Sequence, residues 1–175
     1  GFGPHWQVWH GPKRSRLDLI RNTHRAFAWM LHENCDYGIW LPDDVLCCKN
    51  WLAECKRWLA DPDLPKDGVF YALVSRYPRT RFAENLARRW AHYPPEELYF
   101  SIGAMPAADI DYYLKSEVRQ KMEEQDVGND WICRDVAQAV GRPIYTHCPD
   151  LFADIPHVQS TIFHTTEPGV HDLMF

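Results

Sequence analysis

The residues most suited to chemistry in this sequence are two adjacent carboxylates, Asp43 and Asp44, which follow a short apolar run. Like charges this close repel each other, and a divalent cation relieves the repulsion best. Asp is also a frequent N-cap, so either residue could simply cap a helix that begins near Val45. Because the pair ends an apolar, strand-like run, we expect a metal or ligand site here rather than a cap alone.

Two further groups of polar residues are candidates for the same site. Asp130 begins a predicted helix, where it would serve either as an N-cap or as a general base that accepts a proton from a hydroxyl. Arg76, Arg79 and Arg81 share one loop. A guanidinium group donates two hydrogen bonds to phosphate, although exposed charge is also the ordinary state of a loop. The pattern therefore leaves two interpretations of the loop, a phosphate contact and a solvated surface segment.

Histidines and cysteines give weaker signals. Four histidines lie between residues 147 and 175, close to Asp150 and Asp154, a grouping that suggests at least one metal contact there. Their spacing matches no zinc motif. The six cysteines form no CxxC pair, so we expect reduced, partly buried thiols.

Length and composition predict one folded domain over residues 1–175, with an irregular tail over 147–175. Hydrophobic residues make up 46% of the chain and charged residues 25%, which suits a normal core. The net charge of −5 argues against a broad nucleic-acid surface. The sequence has no long apolar run and no signal-peptide pattern, so we expect no membrane span and a cytoplasmic location.

The elements that must position these residues alternate along the chain. Apolar patterns predict strands over 5–10, 37–41, 68–74, 98–102 and 143–146, and a turn at Gly103-Ala104. Helical spacing predicts helices over 15–33, from about 45 to 60, and over 82–90, 107–123 and 130–140. This alternation is typical of an α/β fold, a three-layer α/β/α sandwich with a mostly parallel central sheet. Ligands of such sheets sit beyond the carboxyl ends of the strands.

The order of several short segments resembles a known family. Asn22 lies in a helix that leads to Asp36-Tyr37-Gly38-Ile39-Trp40-Leu41-Pro42-Asp43-Asp44-Val45, and later come Asn129-Asp130-Trp131, Gly141-Arg142-Pro143 and the segment 148–155. This order is similar to that of GT-A-fold glycosyltransferases, in which an apolar strand ends in an acidic signature often written DxD. The resemblance spans roughly residues 22–161.

The resemblance implies a nucleotide-sugar donor, a UDP-sugar before others, and a Mn²⁺ or Mg²⁺ ion that bridges its diphosphate. The acceptor would be a glycan or a modified base of phage DNA. The resemblance also assigns roles to individual positions. These are Asp44 and Asp154 as metal ligands, Asp130 as the base of an inverting enzyme, Asp43, Asn22 and Arg76 as donor contacts, and Gly103, Ala104 and Trp131 as acceptor contacts.

The sequence departs from the family pattern at several places, which leaves two other functions open. Pro42 stands where the first acidic residue of the signature usually is, and Asp154 stands where many relatives have His. We also expect the first strand–loop unit, which holds the nucleotide base in that family, to be absent before His5. The alternatives are a non-catalytic module that binds nucleotides or nucleotide sugars, and a metal-dependent hydrolase or nuclease built on Asp43, Asp44 and the late histidines.

Overall fold

The computed structural model describes residues 16–41, 45–73, 90–93, 102–125, 131–147 and 152–154. The helices in these residues are α1 (Arg16–His32), α2 (Trp51–Leu59), α3 (Ala107–Lys115), α4 (Glu117–Glu124) and α5 (Ile132–Val140). The strands are β1 (Tyr37–Trp40), β2 (Val45–Cys47), β3 (Phe70–Ala72), β4 (Trp90–Tyr93), β5 (Gly103–Pro106), β6 (Ile144–His147) and β7 (Phe152–Asp154). In this part of the chain, no helix has the length and apolar character that crossing a membrane requires.

The mixed α/β class is confirmed, but the expected mostly parallel sheet is wrong for the described strands. Five strands form one sheet in the order β1-β5-β3-β6-β4, while β2 and β7 form a separate pair. The β3–β6 pair is parallel, and the other three pairs of the larger sheet are antiparallel. The strands β1, β3 and β6 do point in one direction. However, β5 runs the opposite way between β1 and β3, and β4 runs the opposite way beside β6.

Side chains pack against both faces of the larger sheet. Phe70 and Ala72 of β3 belong to a core shared with α1, α3, α4 and α5, which we call the four-helix face. Tyr71 and the following Leu73 belong to a second core shared with α2, which we call the α2 face. This division follows from the alternation of side chains along a strand. Helices therefore cover both faces.

Close approach between β1 and its helices depends on Gly38. A Cβ atom at this position would collide with the side chains of Met30 in α1 and Ile110 in α3. The two helices can pack directly on the strand because the residue has no side chain. At the other end of the domain, Gly141 ends α5 in the left-handed conformation at φ 64°.

Several predicted boundaries are wrong. The helix expected from about Val45 begins at Trp51, because residues 45–47 form β2 instead. The helix expected over 107–123 is interrupted at Ser116, which is extended at φ −88° and ψ 162°. Both the backbone N–H and the hydroxyl of Ser116 donate to the carbonyl of Tyr113, so local hydrogen bonds compete with helix continuation there. The helix expected over 82–90 does not include Trp90, which begins β4, and residues 82–89 lie outside the described part.

Candidate functional site

One row of paired residues crosses the larger sheet. Trp40 pairs with Gly103, Gly103 with Ala72, Ala72 with Thr146, and Thr146 with Ala91. The strands β1, β3 and β6 end at or just after this row, and β5 and β4 begin at or just before it. We call the edge of the sheet beyond this row the site edge.

The segments that carry three of the predicted site residues are joined to the sheet at the site edge. Asp43 and Asp44 follow the end of β1, and Arg76 follows the end of β3. All three residues lie outside the described part of the chain. The strands β1 and β3 do not pair, because β5 lies between them. Both run in the same direction, so their ends lie at the same edge of the sheet.

Gly103 and Ala104, the predicted acceptor contacts, lie in β5 rather than in the expected turn. The ring of Phe70 packs where a side chain of Gly103 would be. Ala104 is completely buried in the core of the α2 face. Gly103 therefore lies at the site edge, whereas the methyl group of Ala104 points into the core. Their acceptor role stays a prediction.

Asp154 lies in β7, so the expectation of an irregular tail is wrong at residues 152–154. This strand is antiparallel to β2, and Val45 is the pairing partner of Asp154. Asp44 directly precedes Val45 in the sequence, so the ladder brings Asp154 beside the residue that adjoins Asp44. Carboxylate oxygens are ligands that Mg²⁺ and Mn²⁺ prefer. The metal roles of Asp44 and Asp154 stay predictions.

The described residues by themselves supply no metal centre. Nowhere in them do three His, Cys, Asp or Glu side chains come together closely enough to hold an ion. Asp43, Asp44 and Asp130 fall outside these residues. Any metal site of the predicted kind must therefore draw on the segments that connect β1 to β2 and precede α5.

The start of α5 presents an exposed aromatic ring. Asp130 is outside the described part, and the next residue, Trp131, is 40% exposed. The guanidinium of Arg134 lies 3.6 Å from the centre of its indole ring, and Arg134 also donates to Asp135 at 2.9 Å. An indole held by a cation in this way is a flat surface on which a sugar or a base can stack. Asn22, the predicted donor contact on α1, is half-buried.

Chain geometry brings the start of α5 towards the site edge. Residues 141–143 alone connect α5 to β6, so the helix must fold back across the sheet. A nine-residue helix and a four-residue strand both span about 13 Å. Ile132 and Val136 of α5 share the core with Ile144 of β6. The helix therefore begins near the edge at which β6 ends.

Buried polar atoms without a hydrogen-bond partner also concentrate at the site edge. Within the described residues they are the indole N–H groups of Trp40, Trp58 and Trp90 and the hydroxyl of Thr146. Trp40 and Thr146 lie in the row itself, Trp90 begins β4, and Trp58 packs on Trp90 from α2. Such groups cost about 1–3 kcal/mol each when left unpaired, and a water or a ligand usually explains them.

The opposite edge of the sheet differs, because the polar groups described there have hydrogen-bond partners. There Arg142 donates to the backbone carbonyls of Asp67 and Gly68 at 3.0 and 2.8 Å. It also donates to both carboxylate oxygens of Asp109, at 2.7 and 3.2 Å. Tyr145 donates to the carboxylate of Asp67 at 3.1 Å. The charged and polar groups described at this edge therefore hold one another in place.

Sequence reasoning missed a buried network in the four-helix face. His24 of α1 lies 2.7 Å from the hydroxyl of Tyr113 through Nε2 and 3.0 Å from Glu123 through Nδ1. Burial is the largest cause that lowers the pKa of His24, Arg119 lowers it further, and Glu123 opposes both. The only signal in the sequence was a histidine between the inward-facing Ile20 and Phe27. The network joins α1, α3 and α4 and has no open path to solvent at Tyr113, which is fully buried.

Comparison with known proteins identifies no relative. The chain matches no protein-family model, no curated protein and no solved structure. The register of the sheet, together with the residues that it brings to the site edge, is therefore the basis from which a function can be inferred.

Proposed function

We propose that this protein transfers a sugar from a nucleotide-sugar donor, a UDP-sugar before others, to a hydroxyl acceptor, with inversion and with the help of Mn²⁺ or Mg²⁺. The observation that carries the proposal is the row from Trp40 to Ala91, which collects several strand ends at one edge. Ligands of α/β sheets sit beyond such ends. The segment with Asp43 and Asp44, the loop with Arg76 and the start of α5 are all connected to the described part of the chain at or near this edge.

The donor half of the proposed site uses Asp43, Asp44 and Asp154. The pairing of Val45 with Asp154 brings the backbone of Asp154 next to the residue that follows Asp44. A divalent cation held there would neutralise the negative charge on the departing diphosphate. Asn22 and Arg76 would make further donor contacts, with the guanidinium of Arg76 binding a phosphate group.

The acceptor half of the proposed site uses Asp130 and Trp131. An inverting transfer needs a base on the acceptor side that takes the proton of the attacking hydroxyl, and Asp130 has the required chemistry. The exposed indole of Trp131, braced by Arg134, would hold the acceptor. Its flat face suits both a glycan and the modified base of a phage DNA. Gly103 begins β5 at the same edge.

We also propose that the whole domain is a three-layer α/β/α sandwich. The separate cores on the four-helix face and on the α2 face support this arrangement. In such a sandwich the loops at one end of the strands remain accessible between the helix layers. That leaves the site edge free for a nucleotide sugar.

The test is a thermal-unfolding screen of the full chain with UDP-, GDP-, CMP- and dTDP-sugars, with and without Mn²⁺. A ligand at a hundred times its Kd adds about 2.7 kcal/mol, which raises Tm by about 5–10 °C for a chain of this length. We expect Asp44→Asn and Asp154→Asn to lose the Mn²⁺-dependent part of this shift. The matched control is Asp111→Asn, an exposed carboxylate paired with Lys115, which should keep it.

The outcomes separate the three candidate functions. An Asp44→Asn variant with an unchanged Mn²⁺-dependent shift would remove the metal role. Stabilisation by a nucleotide sugar without any sugar transfer or hydrolysis would identify a binding module. Metal binding that needs no nucleotide, together with cleavage of a phosphodiester, would identify a hydrolase or nuclease.

A further inference from the structure

The buried network around His24 fixes which of its atoms carry hydrogen. The carboxylate of Glu123 is an acceptor, so the imidazole nitrogen Nδ1, which faces it at 3.0 Å, carries the hydrogen. In the neutral imidazole the other nitrogen, Nε2, is then an acceptor, and the hydroxyl of Tyr113 donates to it at 2.7 Å. All three groups are therefore satisfied while His24 is neutral.

Protonation of His24 disturbs this arrangement. Both ring nitrogens of an imidazolium are donors, so Nε2 would donate to the oxygen of Tyr113, and the O–H of Tyr113 would need another acceptor. Tyr113 is completely buried, and His24 is the one hydrogen-bond partner of its hydroxyl in the described part of the chain. A buried donor without an acceptor has lost its hydrogen bonds to water and gained none in return. The packed helices therefore fit the neutral imidazole.

The charges around His24 compensate an added proton only in part. The titratable and charged groups that face the network are Tyr113 from α3, Arg119 and Glu123 from α4, and Cys133 and Asp135 from α5. The Nε atom of Arg119 lies 3.4 Å from the same oxygen of Glu123 that faces His24, so Arg119 already neutralises this carboxylate. Burial lowers the pKa of His24 most, Arg119 lowers it further, and Glu123 opposes both.

Of the three helices that meet at His24, α4 buries the least. Met122 is its only buried residue, and five of its eight residues are exposed. Ser116 is extended and separates α4 from α3, and an ion pair at 3.8 Å between Lys121 and Asp135 links α4 to α5. Segments with few buried apolar side chains open at a lower free energy than the rest of a domain. The contacts of His24 are therefore a substantial part of what holds α4 in place.

We propose that His24 is a pH-sensitive latch for α4, and that protonation of its imidazole releases α4 from α1 and α3 while the rest of the domain stays folded. The latch goes beyond the proposed sugar transfer and does not depend on it, because the network contains none of the predicted site residues. Docking is complete above the ordinary pKa of histidine, about 6.5, and weakens as the pH falls towards the lower pKa of the docked state.

The experiment measures amide hydrogen exchange of the full chain between pH 5 and pH 7.5, by mass spectrometry of peptides that cover α4. Division of the intrinsic exchange rate at each pH by the observed rate is used to obtain the opening constant of the helix. Uptake of one proton on opening raises this constant by up to about tenfold per pH unit below 6.5. We expect this rise for α4 and no comparable rise for β3 and β6, in buffer without metal or nucleotide.

Two substitutions on α4 should move the pH dependence in opposite directions. Glu123→Gln removes the charge that favours the imidazolium, so opening should begin at a lower pH than in the unaltered chain. Arg119→Gln removes the cation that disfavours the imidazolium, so opening should begin at a higher pH. The two side chains are 32% and 44% exposed, so both substitutions leave the core unchanged. A merely structural role would change the size of the opening constant without these opposite shifts.

His24→Gln should abolish the pH dependence, because an amide does not take up a proton in this range. The matched control is His32→Gln, an exposed histidine of the same helix that lies 3.4 Å from Glu33 and should leave the dependence unchanged. The proposal would be overturned by an α4 opening constant that is equal at pH 5 and pH 7.5, or by a rise of the same size in β3 and β6. Shifts in the same direction for Glu123→Gln and Arg119→Gln, or a pH dependence that survives in His24→Gln, would also overturn it.

Discussion

Replacing Arg142 by Met should destabilise the domain strongly, because the guanidinium neutralises a buried carboxylate. The side chain of Asp109 is 5% exposed and that of Arg142 is 37% exposed. Removing one partner of a buried ion pair costs about 3–5 kcal/mol. Since Arg142 is more than a third exposed, we expect a loss of about 2–4 kcal/mol, part of it from the carbonyls of Asp67 and Gly68.

The assay is urea unfolding of the full chain, with a decrease in the midpoint at constant slope. The matched control is Arg57→Met, which breaks an exposed pair with Glu54 and should cost less than about 1 kcal/mol. The double variant Asp109→Leu/Arg142→Met should recover part of the loss, because no unpaired charge remains buried. A free energy of unfolding for Arg142→Met within about 0.5 kcal/mol of that for Arg57→Met would refute the reasoning.

The stability loss of Arg142→Met should also depend on pH, in a direction that follows from the pKa of Asp109. Burial raises the pKa of Asp109, while the charge and hydrogen bonds of Arg142 lower it. Without Arg142 that pKa must rise further, so the folded variant binds a proton more readily than its unfolded chain does. A carboxyl group whose pKa is higher in the folded than in the unfolded state contributes stability below the unfolded pKa. That contribution is lost as the pH rises through the folded pKa. The deficit of Arg142→Met should therefore shrink as the pH falls from neutral towards 4.

Two further predictions follow from other buried groups. Burial lowers the pKa of His24 below 6.5, so the contribution of His24 to stability is complete above that pH and is lost as the pH falls towards the folded pKa. Urea unfolding between pH 5 and 7.5 should therefore show a flatter pH dependence for His24→Gln than for the unaltered chain. An unchanged pH dependence would exclude His24 as its source. Burial raises the pKa of the Cys55 thiol to about 12, whereas Cys47 is exposed, so iodoacetamide at pH 8 should modify Cys47 well before Cys55. Peptide mass spectrometry measures the order, and equal rates would contradict the described burial of Cys55.

The spacing of apolar residues predicted individual helices and strands well wherever a helical or a strand pattern was clear. The helical spacing of Leu17, Ile20 and Phe27 predicted α1, and the continuous apolar run at 37–41 predicted β1. The predicted helix over 130–140 and strand over 143–146 correspond to α5 and β6, with Gly141 between them. These elements follow from periodicity and from helix-ending signals, which depend on neighbours in the chain.

Pairing between strands could not be predicted in this way. The expected turn at Gly103-Ala104 is a strand, since its place between β1 and β3 depends on two segments far away in sequence. The same holds for β2 and β7, where Val45 meets Asp154 across more than 100 residues. Short strands carry a weak local signal, and their partners decide whether they form.

The sequence by itself determined which chemistry is available: carboxylates at Asp43, Asp44 and Asp130, guanidinium groups in the loop around Arg76, and an indole at Trp131. Tertiary structure decided what comes together, because register and burial arise from contacts between distant residues. It joined the ends of β1, β3 and β6 at one edge, and it left the buried indoles of Trp58 and Trp90 unpaired among the described residues at that edge.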